Sequence, residues 1–464
     1  MYETVFRGGT VVSSEGLARA DVAVSGGVIQ AVAEPAAALA GAAEVDASDK
    51  LLLPGLIDAH VHIPGHFLAS RLDNFDTATR AAAVGGVTTI MLQPTDDPRT
   101  ANPAYFERKR RAGEGASFVD FAVQAMVSPR SERAEIKEMA DMGAISFEMY
   151  LSYGGNPEFI VSNDDYELHR LLTAIGDAGG IAGVTPHSPT LIARNTADQK
   201  GYQQNRKMLY RTEREDPPPL IQAFVATRPT LSESLGITRA CTVASETGTK
   251  VHFRALSSRT SVEHVARFQG GSALTTEVMS HHLVFTEDEA FAMGPYGVIV
   301  PPIRPRADRD ALRDAVRAGS IDMVVSDHSP VLIEDKDRGW EDVWKTAPGM
   351  PGLQTLLLSM LALVDEGALS LTDIARSCAE RPARAFGLFP RKGAIVAGAD
   401  ADIVVLDGSR STLVRDSDQL SRARYTTLKG RVVKGCIERV YLRGNMVAQD
   451  GAIASGPMGI FVRP

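Results

Sequence analysis

Two histidines one residue apart, His60 and His62, close an apolar run, LLLPGLIDAHVHI, at 51–63. Side chains on a strand alternate between faces, so positions i and i+2 point the same way. Two imidazoles on one face, at the C-terminal end of a strand, can grip one metal ion together. Asp58, just upstream, stands where it could accept a hydrogen bond from a ligand imidazole and fix its orientation. A pair of half-buried core histidines is the plain alternative, but a matching carboxylate far downstream favours metal. That carboxylate is Asp327, which closes the apolar run of IDMVVSDHSP and is the best general-base candidate, within reach of a water held on an ion. Its other possible role is to cap the following segment as a helix N-cap. Glu148, in AISFEMYLSY, is a carboxylate among apolar residues, costly there unless metal-bound or paired with an arginine on a neighbouring element. Thr185 and His187 end another such run, and His281 and His282 follow a fourth.

These groups must be carried by elements that bring strand ends together. Eight strand candidates occur: 51–63, 86–93, 118–127, 144–153, 181–187, 250–257, 273–280 and 321–328. Amphipathic helical stretches such as ADRDALRDAVRAG and SVEHVARF separate most of them. Strand–helix alternation means parallel strands joined by right-handed crossovers. Eight such units predict an α/β fold, a (β/α)8 TIM barrel whose active site lies at the C-terminal strand ends. Residues 1–53 and 391–464 instead read as short alternating strands punctuated by Gly-Gly pairs and turns. They predict a small β-sandwich formed from both termini, with the barrel over 54–390. The polar 188–230 segment, rich in Arg, Gln and Pro, reads as either a lid or an oligomer contact.

A chain of 464 residues, 44% hydrophobic and 23% charged, is ordinary for a globular protein with one large and one smaller part. With 49 basic against 57 acidic side chains and no basic stripe, nucleic acid is not an expected partner, nor is an anionic membrane. The N-terminus lacks the charged-then-apolar pattern of a signal peptide, and no apolar run is long enough to span a bilayer. Cys241, Cys378 and Cys436 are scattered, outside any CxxC, and fit a cytoplasmic setting with structural thiols.

PGLIDAHVHI, SFEMYLSY, PPIRPRADRDAL, VVSDHSP, PGMPGLQTLL, ERPARAFGL and KGAIVAGADADIVVLD together resemble the amidohydrolase superfamily over nearly the whole chain. Within it they look like the branch of hydantoinases, dihydropyrimidinases, allantoinases and dihydroorotases. The resemblance implies the barrel-plus-sandwich architecture, a homotetramer, a divalent metal and hydrolysis of an amide-like carbonyl in a small molecule. It also implies an oxyanion-stabilising role for Tyr153, which matches a tyrosine of hydantoinases; packing at the barrel mouth is the alternative.

The departures from that pattern matter most. Members usually carry a carboxylated lysine in SFKMY, bridging two metals; Glu148 stands there. The fifth-strand histidine falls on Thr185, and the sixth-strand histidine on Ala255, with His252 expected on the opposite face. The resulting expectation is one divalent ion (Zn, Co, Mn or Fe), held by His60, His62 and Asp327 with Glu148 as a fourth ligand or as a group supporting the ligands, and His187, His281 or His282 as substitutes. A single ion polarises less than two, which favours a substrate with a good leaving group. Length and the one-ion pattern also resemble the thiocarbamate-hydrolysing members of the branch, which split an S-alkyl thiocarbamate into a carbamic acid and a thiol. Ring-opening of a cyclic amide is the alternative expectation, and a catalytically silent assembly protein the third.

Overall fold

A computed structural model describes residues 1–35, 37–63, 72–96, 98–152, 164–209, 220–268 and 273–464, with backbone alone at 202–209 and 220. Five strands come first: β1 (Tyr2–Val12), β2 (Leu17–Ser25), β3 (Val28–Ala33), β4 (Gly41–Asp46) and β5 (Leu51–Pro54). The barrel strands follow: β6 (Leu56–Val61), β7 (Val87–Leu92), β8 (Asp120–Val123), β9 (Ala125–Met126), β10 (Phe147–Tyr150), β11 (Ile181–Thr185), β12 (Lys250–Phe253), β13 (Leu274–Met279) and β14 (Met323–Val325). The chain ends in β15 (Ile403–Leu413), β16 (Val432–Leu442), β17 (Asn445–Gln449) and β18 (Ala452–Ile453).

Each of the eight expected barrel runs carries a strand, the third split at Gln124 into β8 and β9. Hydrogen bonding runs in parallel through β6-β7-β8 and through β9-β10-β11-β12-β13-β14. The ring closes where Val61 bridges His328 and the His62 N–H donates to the His328 carbonyl at 3.0 Å. This is an α/β TIM barrel. Its strands are buried on both faces, as parallel strands covered by helices must be. The helix at Arg306–Ala318 illustrates the cover: Leu312, Ala315 and Val316 face inward while its charges stay outside, and Gly319 at φ +75° ends it.

The terminal strands form one sheet in the order β18-β17-β16-β15-β5-β1-β2-β3, with β4 also paired to β1. It curls. The Phe6 and Tyr441 rings meet edge-to-face at 4.9 Å although β15 and β5 lie between their strands, whereas a flat sheet would separate them by about 14 Å. Phe6, Val22, Ile29, Leu52 and Ile403 fill the resulting second core. Leu51–Ile63, read as a single strand, is therefore two: β5 belongs to the curled sheet and β6 to the barrel. Gly55 makes the step possible, since a Cβ there would sit 2.1 Å from the Thr88 hydroxyl. The two parts are also tied by charge: buried Lys392 reaches Asp402 at 2.8 Å and Asp400 at 2.9 Å, and contacts Asp120 on β8. Of the 188–230 segment, Pro189–Leu209 and Leu220–Ala226 are helical.

Candidate metal centre

His60 and His62 sit at the C-terminal end of β6, and Asp327 follows β14. Barrel closure makes those two strands neighbours. The seam is stitched by Asp58, whose Oδ1 accepts the backbone N–H of His60 at 3.2 Å and of Ser326 at 3.1 Å. Asp58 therefore holds backbone; it does not orient an imidazole, as its position before the histidines had suggested. Asp327 has φ +44°, a left-handed conformation unusual for a side chain with a Cβ, held in place by the surrounding packing. The turn aims its carboxylate back across the seam. Its Oδ1 lies 3.2 Å from His60 Nε2 and 3.1 Å from His62 Nε2.

The other nitrogen of each ring is committed. His60 Nδ1 contacts Glu277 Oε1, and His62 Nδ1 lies 2.7 Å from Thr95 Oγ1. A ring that donates its Nδ1 proton to a carboxylate presents a lone pair at Nε2. Either a proton on Nε2 or a cation must stand between each ring and the Asp327 oxygen, and one divalent cation satisfies both rings at once. Three electron-pair donors thus converge, mutually within 4.8 Å and all buried. That set fits a divalent cation, and two imidazoles with a carboxylate suit Zn, Co, Mn or Fe. Burial works to lower the His60 pKa, but Glu277 and Asp327 outweigh it and raise it; burial and then the His60 charge hold His62 well below its ordinary range.

Glu148 does not join this group. Its carboxylate lies in the barrel interior, taking Arg254 Nε at 3.0 Å and Arg254 Nη2 at 2.5 Å. The arginine pairing weighed for it is the one the fold adopts, because Arg254 is itself fully buried and needs a counter-charge. Gly183, opposite Glu148 in the register, leaves the space: a Cβ there would meet the carboxylate at 2.1 Å. Arg254 continues to Glu277 Oε2 at 2.8 Å, which His252 Nε2 also reaches at 2.9 Å. His252 accordingly faces the barrel interior, deeper than Ala255. Strict alternation failed there because φ of +52° at Ala255 turns the chain back inward just beyond β12. Burial favours a protonated Glu277, yet Arg254 and His60 hold its carboxyl well below the usual range.

Thr185 and Ala255 line the cleft above the convergence point, with Met279, Val300 and Pro301 as apolar wall. His281 lies beside the centre but turns its Nε2 to the Met279 sulfur at 3.2 Å; burial drives its pKa down to about 4, partly opposed by Asp327. His282 points away, its Nε2 3.2 Å from the Pro302 carbonyl. His187 is 2% exposed, outside the cleft lining, its pKa pushed down to about 3 by burial and by Arg304 and Arg228. None of these three lies in the converging set. Tyr153 falls outside the described residues. Tyr150, which the sequence reading passed over, lines the cleft and donates from its hydroxyl to Gln93 Oε1 at 3.2 Å. Glu277 and Arg254 were missed too, although a charge inside each of VHFRAL and LTTEVM was a readable signal of internal pairing.

Two strand-end histidines and a strand-eight aspartate thus place a donor set that could hold a divalent ion at the face where barrel enzymes carry their active sites. The Amidohydrolase family model matches residues 51–447, and the chain belongs to that family, whose members are typically dependent on divalent metal. It is 32% identical to an L-hydantoinase of Paenarthrobacter aurescens over 98% of this chain and 96% of that protein. It is 34% identical to an allantoinase of Rubrobacter xylanophilus over 100% and 98%. Among solved structures, the L-hydantoinase (dihydropyrimidinase) from Arthrobacter aurescens superposes with a TM-score of 0.92 at 30% identity, covering 100% of both chains.

Proposed function

We propose that this enzyme is a mononuclear hydrolase of an amide-like carbonyl, with one divalent ion held by His60, His62 and Asp327. The supporting observation is that Glu148 is committed to Arg254, so that among the described residues three donors converge, those of His60, His62 and Asp327. When bound, such an ion supplies a hydroxide nucleophile at neutral pH by lowering the pKa of water to about 7. Asp327 accepts the proton of the attacking water and passes it to the leaving group. Thr185 and Tyr150 border the carbonyl position, while Met279, Val300 and Pro301 receive apolar substituents.

Two observations pull the substrate in different directions. One ion activates less than two, which supports a substrate with a thiolate leaving group, an S-alkyl thiocarbamate yielding a carbamic acid and a thiol. The relatives carry hydantoinase and allantoinase names, which support ring-opening of a cyclic amide or imide more strongly than the thiocarbamate reading. The reading includes a small-molecule substrate, a cytoplasmic setting and a four-chain assembly.

Cobalt-loaded protein, assayed in parallel for thiol release from an S-ethyl thiocarbamate and for opening of hydantoin, dihydrouracil and allantoin, separates the two. Ring turnover without thiol release replaces the thiocarbamate by the cyclic substrate. Absence of any stoichiometric ion and of turnover on all four substrates would leave a silent paralogue.

A further inference from the structure

Arg254 has a shape that a simple buried ion pair would not need. It is fully buried and its guanidinium reaches three strands, β6, β10 and β13, and Gln124 between β8 and β9. Nε and Nη2 clamp Glu148 on β10, Nη2 also donates to Gln124 Oε1 at 2.7 Å, and Nη1 is shared between Glu277 Oε2 at 2.8 Å and the Ala59 carbonyl at 3.1 Å. Two of these contacts end on His60. Glu277 holds the ring at Nδ1, and Ala59 is the residue immediately before it on β6. Gln124 reinforces the second route, its Nε2 donating to the same Ala59 carbonyl at 2.9 Å.

We propose that Arg254 is a positioning residue for the metal ligand His60. It fixes Glu277 against the imidazole and the strand behind it, so that Nε2 keeps its lone pair and its direction toward Asp327 and His62. Glu148 is the anchor. It neutralises the guanidinium and, through the fork-to-fork geometry of the pair, sets its plane. Glu277 alone could rotate about its side chain; with Oε2 held by Arg254 and His252, Oε1 has one place to go. The inference rests on the reading that His60 belongs to a one-ion site.

Removing only the arginine would strand two buried carboxylates and change the charge around the ion. The informative variant is E148M/R254M, which deletes one positive and one negative charge and leaves the net charge of the barrel interior unaltered. Apolar replacement of a buried pair is often tolerated by the fold. The measurement is titration of metal-free protein with Co2+, read from the visible d–d bands, with circular dichroism reporting the folded fraction. Unaltered protein is expected to take one Co2+ per chain. The double variant is expected to bind it 10- to 100-fold more weakly, with altered bands, the range seen when a residue supporting a metal ligand is lost. A purely structural pair would lower the melting temperature and leave the Co2+ affinity of folded protein unchanged; that result overturns the inference. If the double variant does not fold, R254K decides, because a lysine cannot hold Glu148, Glu277 and Ala59 at once: unchanged affinity in R254K overturns the inference equally. Failure of the unaltered protein to bind Co2+ would instead sink the metal-site reading beneath it.

Discussion

A single methyl group at position 183 tests the architecture of the barrel interior. Gly183 lies opposite Glu148, and a Cβ built there stands 2.1 Å from Glu148 Oε1, 2.4 Å from Oε2 and 2.5 Å from Cδ. An ordinary contact needs more than 3 Å, so G183A requires the carboxylate to retreat by about 1 Å. It has little freedom to do so. Arg254 holds both oxygens at 3.0 and 2.5 Å, and Ser146 donates to Oε1 at 2.9 Å. A retreat of that size takes these bonds out of range and leaves Arg254 with Glu277 alone as its counter-charge; losing one partner of a buried charge pair costs about 3–5 kcal/mol. For a barrel of this size that corresponds to a fall in Tm on the order of 5 °C. Differential scanning fluorimetry and urea denaturation measure it. G16A is the control, because no atom lies within 4 Å of a Cβ there, and a surface change of that kind stays within about 0.5 kcal/mol. A G183A protein melting within about 1 °C of the unaltered one would refute the argument that Gly183 exists to admit the Glu148–Arg254 pair.

Three further outcomes are expected. D327N keeps the shape of the side chain and removes its charge; turnover of cobalt-loaded protein should fall by about 10²–10⁴-fold with the far-ultraviolet spectrum unchanged, and near-normal rates would remove Asp327 from proton transfer. Lys336 is fully buried, donating to the Val298 and Pro295 carbonyls, and burial lowers its pKa from 10.5 to about 7. Between those values the unfolded chain binds more protons than the folded one, so its contribution to stability improves as pH rises from 7 toward 10.5. The advantage of K336M over the unaltered protein, followed by urea midpoints, should therefore be largest at pH 7 and shrink by pH 9.5; a constant difference would show that Lys336 does not titrate as described. Chelation followed by Co2+ addition should raise Tm with added metal as binding linkage requires, and this response should be absent in a double H60A/H62A variant.

How far the sequence could be read depended on the distance over which each signal acted. The pairing of His60 with His62 is local, set by the two-residue period of a strand, and Asp327 announced itself as a charge ending an apolar run. The barrel followed from eight repeats of one pattern. Glu148 was legible as a carboxylate that needed a partner, but which partner depended on Arg254, 106 positions away in sequence. A family likeness favoured metal there, and the interior geometry favoured the arginine. His252 was assigned to the wrong face because alternation holds only while the backbone stays extended, and Ala255 does not. The single run from Leu51 to Ile63 concealed a change of sheet at Gly55, since both halves are equally apolar.

The geometry of the three proposed ligands depends on backbone more than on side-chain chance. Asp58 joins the N–H of His60 to that of Ser326, and the N–H of His62 binds the carbonyl of His328. These bonds cross one seam, between the first and eighth barrel strands, and they bracket all three donors. His328 extends the clamp outward: its Nε2 lies 2.9 Å from Asp73 Oδ2, and Asp73 accepts in turn from the Ser421 hydroxyl and, at 2.8 Å, from the Arg422 N–H. The residue next to Asp327 is thereby tied to the C-terminal part of the chain. Because the donors approach one another through the closure of the barrel, the site is formed by folding itself. On the proposed reading a cation meets ligands already in place, and the cost of organising them has been met by the strands that the rest of the chain is built to close.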